Sequence, residues 1–500
     1  MYKSIKEVLQ NTKEKYKDKI IFSEIDREIS YNDFYDECSK GATYLINHQY
    51  MKSNVIIFID KTINCLEAMF SCAFANVCYT VVDVKSPKER IDAIIDTLNP
   101  KIIITDSKNC TLCEHYDIDV VLLEDILKTT IDMAKIEKVN DRLIDTDPLY
   151  ILFTSGSTGI PKGTVICHRS VIDYAITICK TFNINEDTIF GSQTPFYFSM
   201  SILDIFSTIV SGATFNIIPK MYFSFPVKLI EHLNKYQINT IYWVPSALAI
   251  VANFKTLDTI LPEYLQTILF AGEVMPIKQL NIWRNKLPNV LYVNLYGPTE
   301  ITDTCTYYIV DRDFKDNESL PIGIPFDNCD VFIVKDDNQE AQPGEVGELL
   351  VRGSFLGFGY YNQPEKTNQV FVQNPLNSNY PELVYRTGDL VKYNEQNELI
   401  YLGRKDFQIK HMGYRIELGE IENNINAIDG ILSCACIYNL NENKIVLYYQ
   451  SNCLKEDEVL KEAKEKLLPY MVPNKVIRLA VMPINANGKI DRVKLKEMEK

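Results

Sequence analysis

The 500-residue sequence predicts an α/β protein in two parts: a large multi-sheet N-terminal domain that includes a β-subdomain, and a small α+β C-terminal domain. Three observations carry this. Strand-like apolar runs alternate with helical stretches through the first half of the chain, which is the signature of α/β layering. From "NCDVFIVKDD", beginning at Asn328, the pattern changes to short strands and turns. After Gly403 to Asp406 a helix-and-strand pattern occupies the last stretch, a domain of about a hundred residues. The predicted domains are 1–403 and 404–500, and the length agrees, because one hydrophobic core seldom serves so long a chain.

Taken in order, "NVIIFID" (Asn54 to Asp60) is an apolar run rich in β-branched residues, and "NCLEAMFSCAFAN" after it has helical periodicity. "PKIIITD", "DVVLLED", "YQINTIYWV" and "YLQTILFAG" repeat the strand signal, with the continuous apolar character of strands buried on both faces. "GEVGELLVRG" and "ELIYLGRKD" supply the β-subdomain. In the C-terminal part, "IELGEIENNINAI" reads as an amphipathic helix, "GILSCACIYN" and "KIVLYYQ" as strands, and "KEDEVLKEAKEKLL" as a charged helix. Cys434 and Cys436 flank Ala435, a spacing that suits one face of a strand.

Composition narrows the function classes. With 46% hydrophobic and 24% charged residues the chain is a globular one. The start "MYKSIKEVLQ" has no apolar leader core, and "ILDIFSTIVSG" is too short to span a bilayer and contains Asp204, so a cytoplasmic protein with no membrane partner is expected. A net charge of -14 disfavours nucleic acid as a partner. Thirteen scattered Cys read as reduced, mostly buried thiols. Cys110, Cys113 and His115 imitate half a zinc site, but no second pair follows at ligand spacing.

"LYILFTSGSTGIPKG" (Leu149 to Gly163) runs from a strand into a loop. Gly156, Gly159 and Gly163 allow backbone shapes closed to other residues. Hydroxyls of Thr154, Ser155, Ser157 and Thr158, with the loop N–H groups, suit an anionic phosphate. The order Lys162–Gly163 departs from the Gly-Lys-Ser/Thr ending of a nucleotide-binding P-loop.

With this loop, the ordered set "NLYGPTE", "GELLVRG", "YRTGDL", "GRKDFQIKHMGYRIELGEIE", "LPYMVP" and "NGKIDR" resembles the motifs of the adenylate-forming superfamily. The likeness extends from "ISYNDF" near the N-terminus to Arg492 and is greatest to the amino-acid adenylation domains of nonribosomal peptide synthetases and to D-alanine:D-alanyl carrier protein ligases. It implies a mobile C-terminal domain hinged near Asp406, with ATP and Mg2+ as cofactors. By the same resemblance the loop Thr154, Ser155, Gly156, Ser157, Thr158, Gly159 grips phosphates, with Thr154 counted among the catalytic groups. Asn294 and Tyr296 contact adenine, Gly297 and Thr299 complete that motif, and Asp389 and Arg404 hold the ribose. Glu300 is the magnesium-associated acid, and a hard oxygen ligand suits that ion. Lys489, on the turn "NANGKIDR", carries the chemistry: carboxylate attack on the α-phosphorus brings two anions together, and a cation between them lowers the barrier.

The resemblance also marks an acid pocket of Phe198, Ser199, Met200, Leu203, Tyr242, Leu269, Ala271, Gly272, Leu295, Asp303 and Thr304. Relatives carry at the Ser199 position an Asp that anchors the substrate's α-amino group. A hydroxyl cannot replace a carboxylate facing a buried ammonium, so the expected substrate is a small carboxylic acid without that amine, such as a hydroxybenzoate-like acid. Asp303 stands where relatives commonly have an apolar residue; it is read as an acceptor for a substrate hydroxyl, a counter-charge for a displaced amine as in a β-amino acid, or a structurally paired carboxylate. Phe198 matches an aromatic common in members that load carrier proteins, where coenzyme A ligases more often have His. The chain ends shortly after Arg492, which makes the expected acceptor the phosphopantetheine arm of a separate carrier protein.

Overall fold

The computed structural model describes all residues except Met1, 157–159, Asn317, Phe407, Leu440, Asn441, 485–489 and Lys500. The described residues fall into two compact units, one of Met1–Val84, Leu98–Leu152 and Gly163–Gly403, the other of Lys85–Thr97, Phe153–Lys162 and Arg404–Lys500. Among them no helix is long and apolar enough to cross a membrane.

The first unit is built on three sheets. The largest runs, edge to edge, Ile324–Pro325, Thr306–Ile309, Leu291–Tyr296, Thr267–Phe270, Thr240–Trp243, Ile189–Ser192, Thr214–Ile217, Ile20–Glu24 and Arg27–Ser30. From Leu291–Tyr296 to Ile20–Glu24 neighbouring strands are parallel. All four residues of Thr240–Trp243 are buried, as the unbroken apolar run of a strand covered on both faces requires. A six-stranded sheet has the order Asp119–Leu122, Ile102–Thr105, Asn54–Phe58, Cys78–Val81, Pro148–Thr154, Lys162–Cys167. The β-subdomain is a five-stranded sheet of Cys329–Val334, Gly347–Gly353, Leu383–Tyr393 and Phe371–Gln373, with Leu399–Arg404 paired to Leu383–Tyr393.

Helices follow strands as the periodicity predicted. Ile63–Phe74 has buried side chains on every face, so it lies inside the unit rather than on its surface. "DVVLLED" divides: Asp119–Leu122 is a strand and Leu123–Ile126 already one helical turn.

In the second unit, strands Gln408–His411 and Tyr414–Glu417 pair as a hairpin across Met412 and Gly413, both at positive φ (52° and 80°). That is the tight two-residue turn whose twist matches paired strands. The hairpin corrects one boundary: Ile416 and Glu417 are strand, and the helix predicted for "IELGEIENNINAI" spans Leu418–Asn426. Ile431–Asn439, Lys444–Ser451 and Lys475–Arg478 form a three-stranded sheet. Cys434 and Cys436 pack with Leu447 and Tyr449 in one apolar cluster, while Ala435 and Ile437 pack with Val446 and Tyr448 in another. The period of two thus places both thiols on one face.

One ion pair within the first unit bears directly on its stability. Glu67, fully buried on Ile63–Phe74, is held by the guanidinium of Arg27, whose Nη1 lies 3.2 Å from Glu67 Oε2 and 2.5 Å from Asn64 Oδ1. Arg27→Met strands a buried carboxylate, and because the Arg27 side chain keeps 35% of its surface exposed the expected loss is on the order of 2–3 kcal/mol. Chemical denaturation measures it, and the double variant Arg27→Met/Glu67→Leu should recover most of the loss.

Candidate active site

In a parallel sheet the chain must turn at each strand's carboxyl end, and the crevice there is where loops from several strands meet. The candidate residues of the first unit follow that geometry. Ser192 ends one strand and leads to Phe198 and Ser199; Tyr242 and Leu269 stand in register near the ends of the next two; Ala271 and Gly272 follow the second of these; Leu295, Tyr296 and Gly297 close the third. Leu203, Leu269, Ala271 and Leu295 are buried. Gly272 has φ of +90°, a conformation that favours glycine at that turn.

Buried carboxylates dominate the polar side of the site. Glu300, fully buried in the short turn Thr299–Ile301, accepts a hydrogen bond at Oε1 from the Tyr360 hydroxyl at 2.6 Å. Asp389, on Leu383–Tyr393, accepts from the Tyr296 hydroxyl. Burial, and after it the Asp389 charge, pushes the Tyr296 phenol well above its usual range, so it stays a donor. Asp303 Oδ2 accepts from Tyr174 at 2.9 Å and from Tyr242 at 3.0 Å. Both phenols are raised, first by burial and next by the Asp303 charge. The Tyr174 hydroxyl also lies 2.7 Å from Thr304 Oγ1; with its one proton given to Asp303, it accepts the proton of Thr304. Of the three readings of Asp303, these bonds supply the structural pairing directly.

Other candidates have partners of their own. Asn294 Nδ2 donates to the Pro321 carbonyl at 2.7 Å, and Ser199 Oγ and Thr299 Oγ1 are hydrogen-bonded at 3.2 Å. The backbone is unusual beside Glu300: Thr302 has φ of +73° and ψ of -59°, while the Asp303 N–H bonds back to the Ile301 carbonyl at 2.9 Å. A β-branched residue there is strained, and the Thr302 hydroxyl secures it by donating to Phe355 O at 2.8 Å.

Within the second unit, Thr154 Oγ1 is buried and has no hydrogen-bond partner among the described residues. A buried hydroxyl left unmade is costly, and its place at the mouth of the loop fits a bound oxyanion. Ser155 Oγ donates to Arg415 O at 2.7 Å. A Cβ on Gly156 would meet Ile160 O at 2.1 Å, so the loop closes tightly and only glycine fits. Lys162 stands 3.4 Å from Glu417, and Arg90 3.0 Å from Glu420. Arg404 forms two 2.7 Å bonds to Asp406. Burial alone would raise the Asp406 carboxyl; the Arg404 bonds and charge and the Gln408 N–H outweigh it and hold it below its usual range. Ser157, Thr158, Gly159 and Lys489 lie outside the described residues. Among the described residues no group of three or more His, Cys, Asp or Glu stands together to hold a metal, so Glu300 is offered as a single buried carboxylate.

Residues 9–361 match the family described as AMP-binding enzyme. The chain belongs to that family. D-alanine--D-alanyl carrier protein ligase of Bacillus cytotoxicus is 30% identical over 485 residues, covering 94% of each chain. Tyrocidine synthase 1 of Brevibacillus parabrevis is 28% identical over 502 residues, 99% of this chain but 45% of that protein, so this chain spans less than half of that relative's length. The family's fold is also seen in the Vibrio cholerae adenylation domain AlmE, solved in complex with glycyl-adenosine-5'-phosphate: TM-score 0.86 at 22% identity over 100% of this chain and 99% of that one.

Reading the sequence for motifs missed Tyr174, Tyr360 and Thr302. Tyr360 ends the glycine-rich "GFGY" and had a weak local signal; Tyr174 sits inside an ordinary helix, His168–Phe182, and had none. At Gly297 the site admits a direct test. An added Cβ would lie 2.4 Å from both Asp303 O and Thr304 Cα, which are backbone atoms and cannot swing aside. Gly297→Ala is expected to cost about 1–3 kcal/mol, read as a lowered denaturation midpoint.

Proposed function

We propose that this chain activates a small carboxylic acid with ATP and then passes the acyl group to the phosphopantetheine thiol of a separate carrier protein. The observation that carries the reading is the convergence of motif residues remote in sequence: Tyr296 and Asp389, 93 positions apart, are bonded to each other, and the pocket segments gather at the same strand ends. Membership of the AMP-binding enzyme family supports it.

Each residue has a chemical task in this reading. Thr154 and the loop after it hold phosphate oxygens, for which the unpartnered Thr154 hydroxyl is suited. Asn294 and Tyr296 face adenine, and Asp389 and Arg404 the ribose hydroxyls. Glu300 would be the residue that holds a magnesium ion, through a carboxylate oxygen, and that ion would supply positive charge to the phosphates. In the first half-reaction a carboxylate oxygen bonds to the α-phosphorus, the bond to the β-phosphate breaks and pyrophosphate leaves; Lys489 neutralises the charge gathering between the two anions. In the second, the thiolate bonds to the acyl carbon and AMP leaves with the electron pair of the broken C–O bond. A domain 404–500 turning about Asp406 relative to 1–403 would serve both steps.

For the acid we propose a hydroxyaryl carboxylate. Ser199, bonded to Thr299, offers no charge to an α-ammonium, and the pocket is largely apolar. A second reading, an amino acid with its amine away from the α-carbon, is favoured by Asp303, a buried carboxylate flanked by Tyr174 and Tyr242. Acid-dependent pyrophosphate exchange across hydroxybenzoic, β-amino and α-amino acids tests both. One aryl acid standing out supports the first reading, a β-amino acid the second. Selection of D-alanine or another α-amino acid overturns the pocket assignment, and turnover of free coenzyme A without a carrier overturns the acceptor.

Lys489→Ala should lower the rate of adenylate formation by about 10²–10³ while ATP binding and thermal stability stay unchanged. An equal loss of ATP affinity would make Lys489 a binding residue only.

A further inference from the structure

Phe198 and Ser199 lie on a segment that leaves the large sheet at Ser192 and has no strand or helix until Ser201–Ser211 begins. No sheet ladder runs along it; turn bonds such as Phe198 N–H to Pro195 O at 3.1 Å and Ile202 N–H to Ser199 O at 2.9 Å fold it locally, and side chains tie it to the rest of the unit. Two of them come from the other sheet. Lys61 follows the strand Asn54–Phe58; its Nζ donates to the Ser192 carbonyl at 2.9 Å and lies 5.6 Å from the centre of the Phe196 ring. Asp83 follows the neighbouring parallel strand Cys78–Val81, and its Oδ2 accepts from the Tyr197 hydroxyl at 2.7 Å. One contact grips the segment where it starts and the other grips it next to Phe198.

We propose that Lys61 and Asp83 are positioning residues for the acid pocket, two straps that set where Phe198 and Ser199 stand and so govern affinity for the acid and not for ATP. The inference rests on the reading above that this pocket takes a carboxylic acid. Neither residue lies in a nucleotide motif or lines the pocket. The placement of Lys61 has a cost that a casual surface contact would not bear. Burial pulls its ammonium below the usual range, opposed by the charge of Asp204. Asp204 sits in the first turn of the helix that also carries Leu203 and is itself raised by burial, with Lys61 opposing. Lys61 thereby ties together, by a hydrogen bond and a charge, both elements that shape this side of the pocket.

The test uses the full chain and three variants, Lys61→Met, Lys61→Arg and Tyr197→Phe. Tyr197→Phe keeps the ring and covers the case in which Lys61→Met fails to fold. Hydrogen exchange of the segment 192–199 is expected to quicken in Tyr197→Phe and Lys61→Met and to return towards the parent rate in Lys61→Arg. In pyrophosphate exchange driven by 3-hydroxybenzoate, β-alanine or D-alanine, the KM for the acid should rise about tenfold, the loss of one charge-assisted hydrogen bond, with the KM for ATP unchanged. Unchanged segment exchange with unchanged acid KM would overturn the proposal, and so would an equal rise in both KM values. If the parent chain turns over none of the three acids while the segment still loosens in the variants, the straps stand and the choice of acid is what fails.

Discussion

A carboxylate removed from water must be given donors, and in this site tyrosine hydroxyls are among those supplied. Tyr360 donates to Glu300, Tyr296 to Asp389, and Tyr174 and Tyr242 to Asp303. A phenol suits the task because its ring packs as an apolar body while its hydroxyl stays protonated at any working pH. Each pair also spans separate parts of the chain, so satisfying the carboxylate fixes a tertiary distance. Loss of such a donor disturbs two elements at once.

This is why the framework was legible in the sequence and the bonding within the site was not. Buried parallel strands such as Thr240–Trp243 announce themselves as continuous apolar runs, and the alternation of Cys434, Ala435 and Cys436 reports its face by period alone. Motif resemblance picked out Glu300, Asp303 and Asp389. Their partners lie 60 to 129 positions away with no spacing rule to link them, and Tyr174 on its helix is indistinguishable from a core tyrosine. Asp303 is the instructive case: the residue type left three readings open, and only the two phenols beside it give the environment. The misplaced start of the helix Leu418–Asn426 has a similar origin, because Ile416 and Glu417 are held in a strand by pairing across Met412–Gly413 that helical periodicity does not register.

Local rules are also broken where the candidate residues lie. Thr302 at positive φ, Gly297 pressed against the Asp303–Thr304 backbone, and Gly272 in a left-handed turn all fall within the stretches that follow the strand ends. Such conformations persist only where surrounding contacts over-determine them, here the Thr302 bond to Phe355 and the turn from Asp303 to Ile301. The turn so held carries Glu300 to its Tyr360 partner and Asp303 to Tyr174 and Tyr242.

The candidate positions of the first unit are held by two kinds of contact. Most, among them Tyr242, Leu269, Leu295 and Tyr296, ride on strand ends and the turns after them, where the backbone itself sets the geometry and an added Cβ at Gly297 meets main-chain atoms. Phe198 and Ser199 ride on an irregular segment that Lys61 and Asp83 contact at Ser192 and Tyr197, where a substitution meets side chains that can adjust. Geometry dictated by backbone leaves little room for variation, whereas geometry dictated by side chains can be retuned one contact at a time. In the function proposed above, Phe198 and Ser199 are then the part of the acid pocket that can be retuned while the strand ends stay fixed.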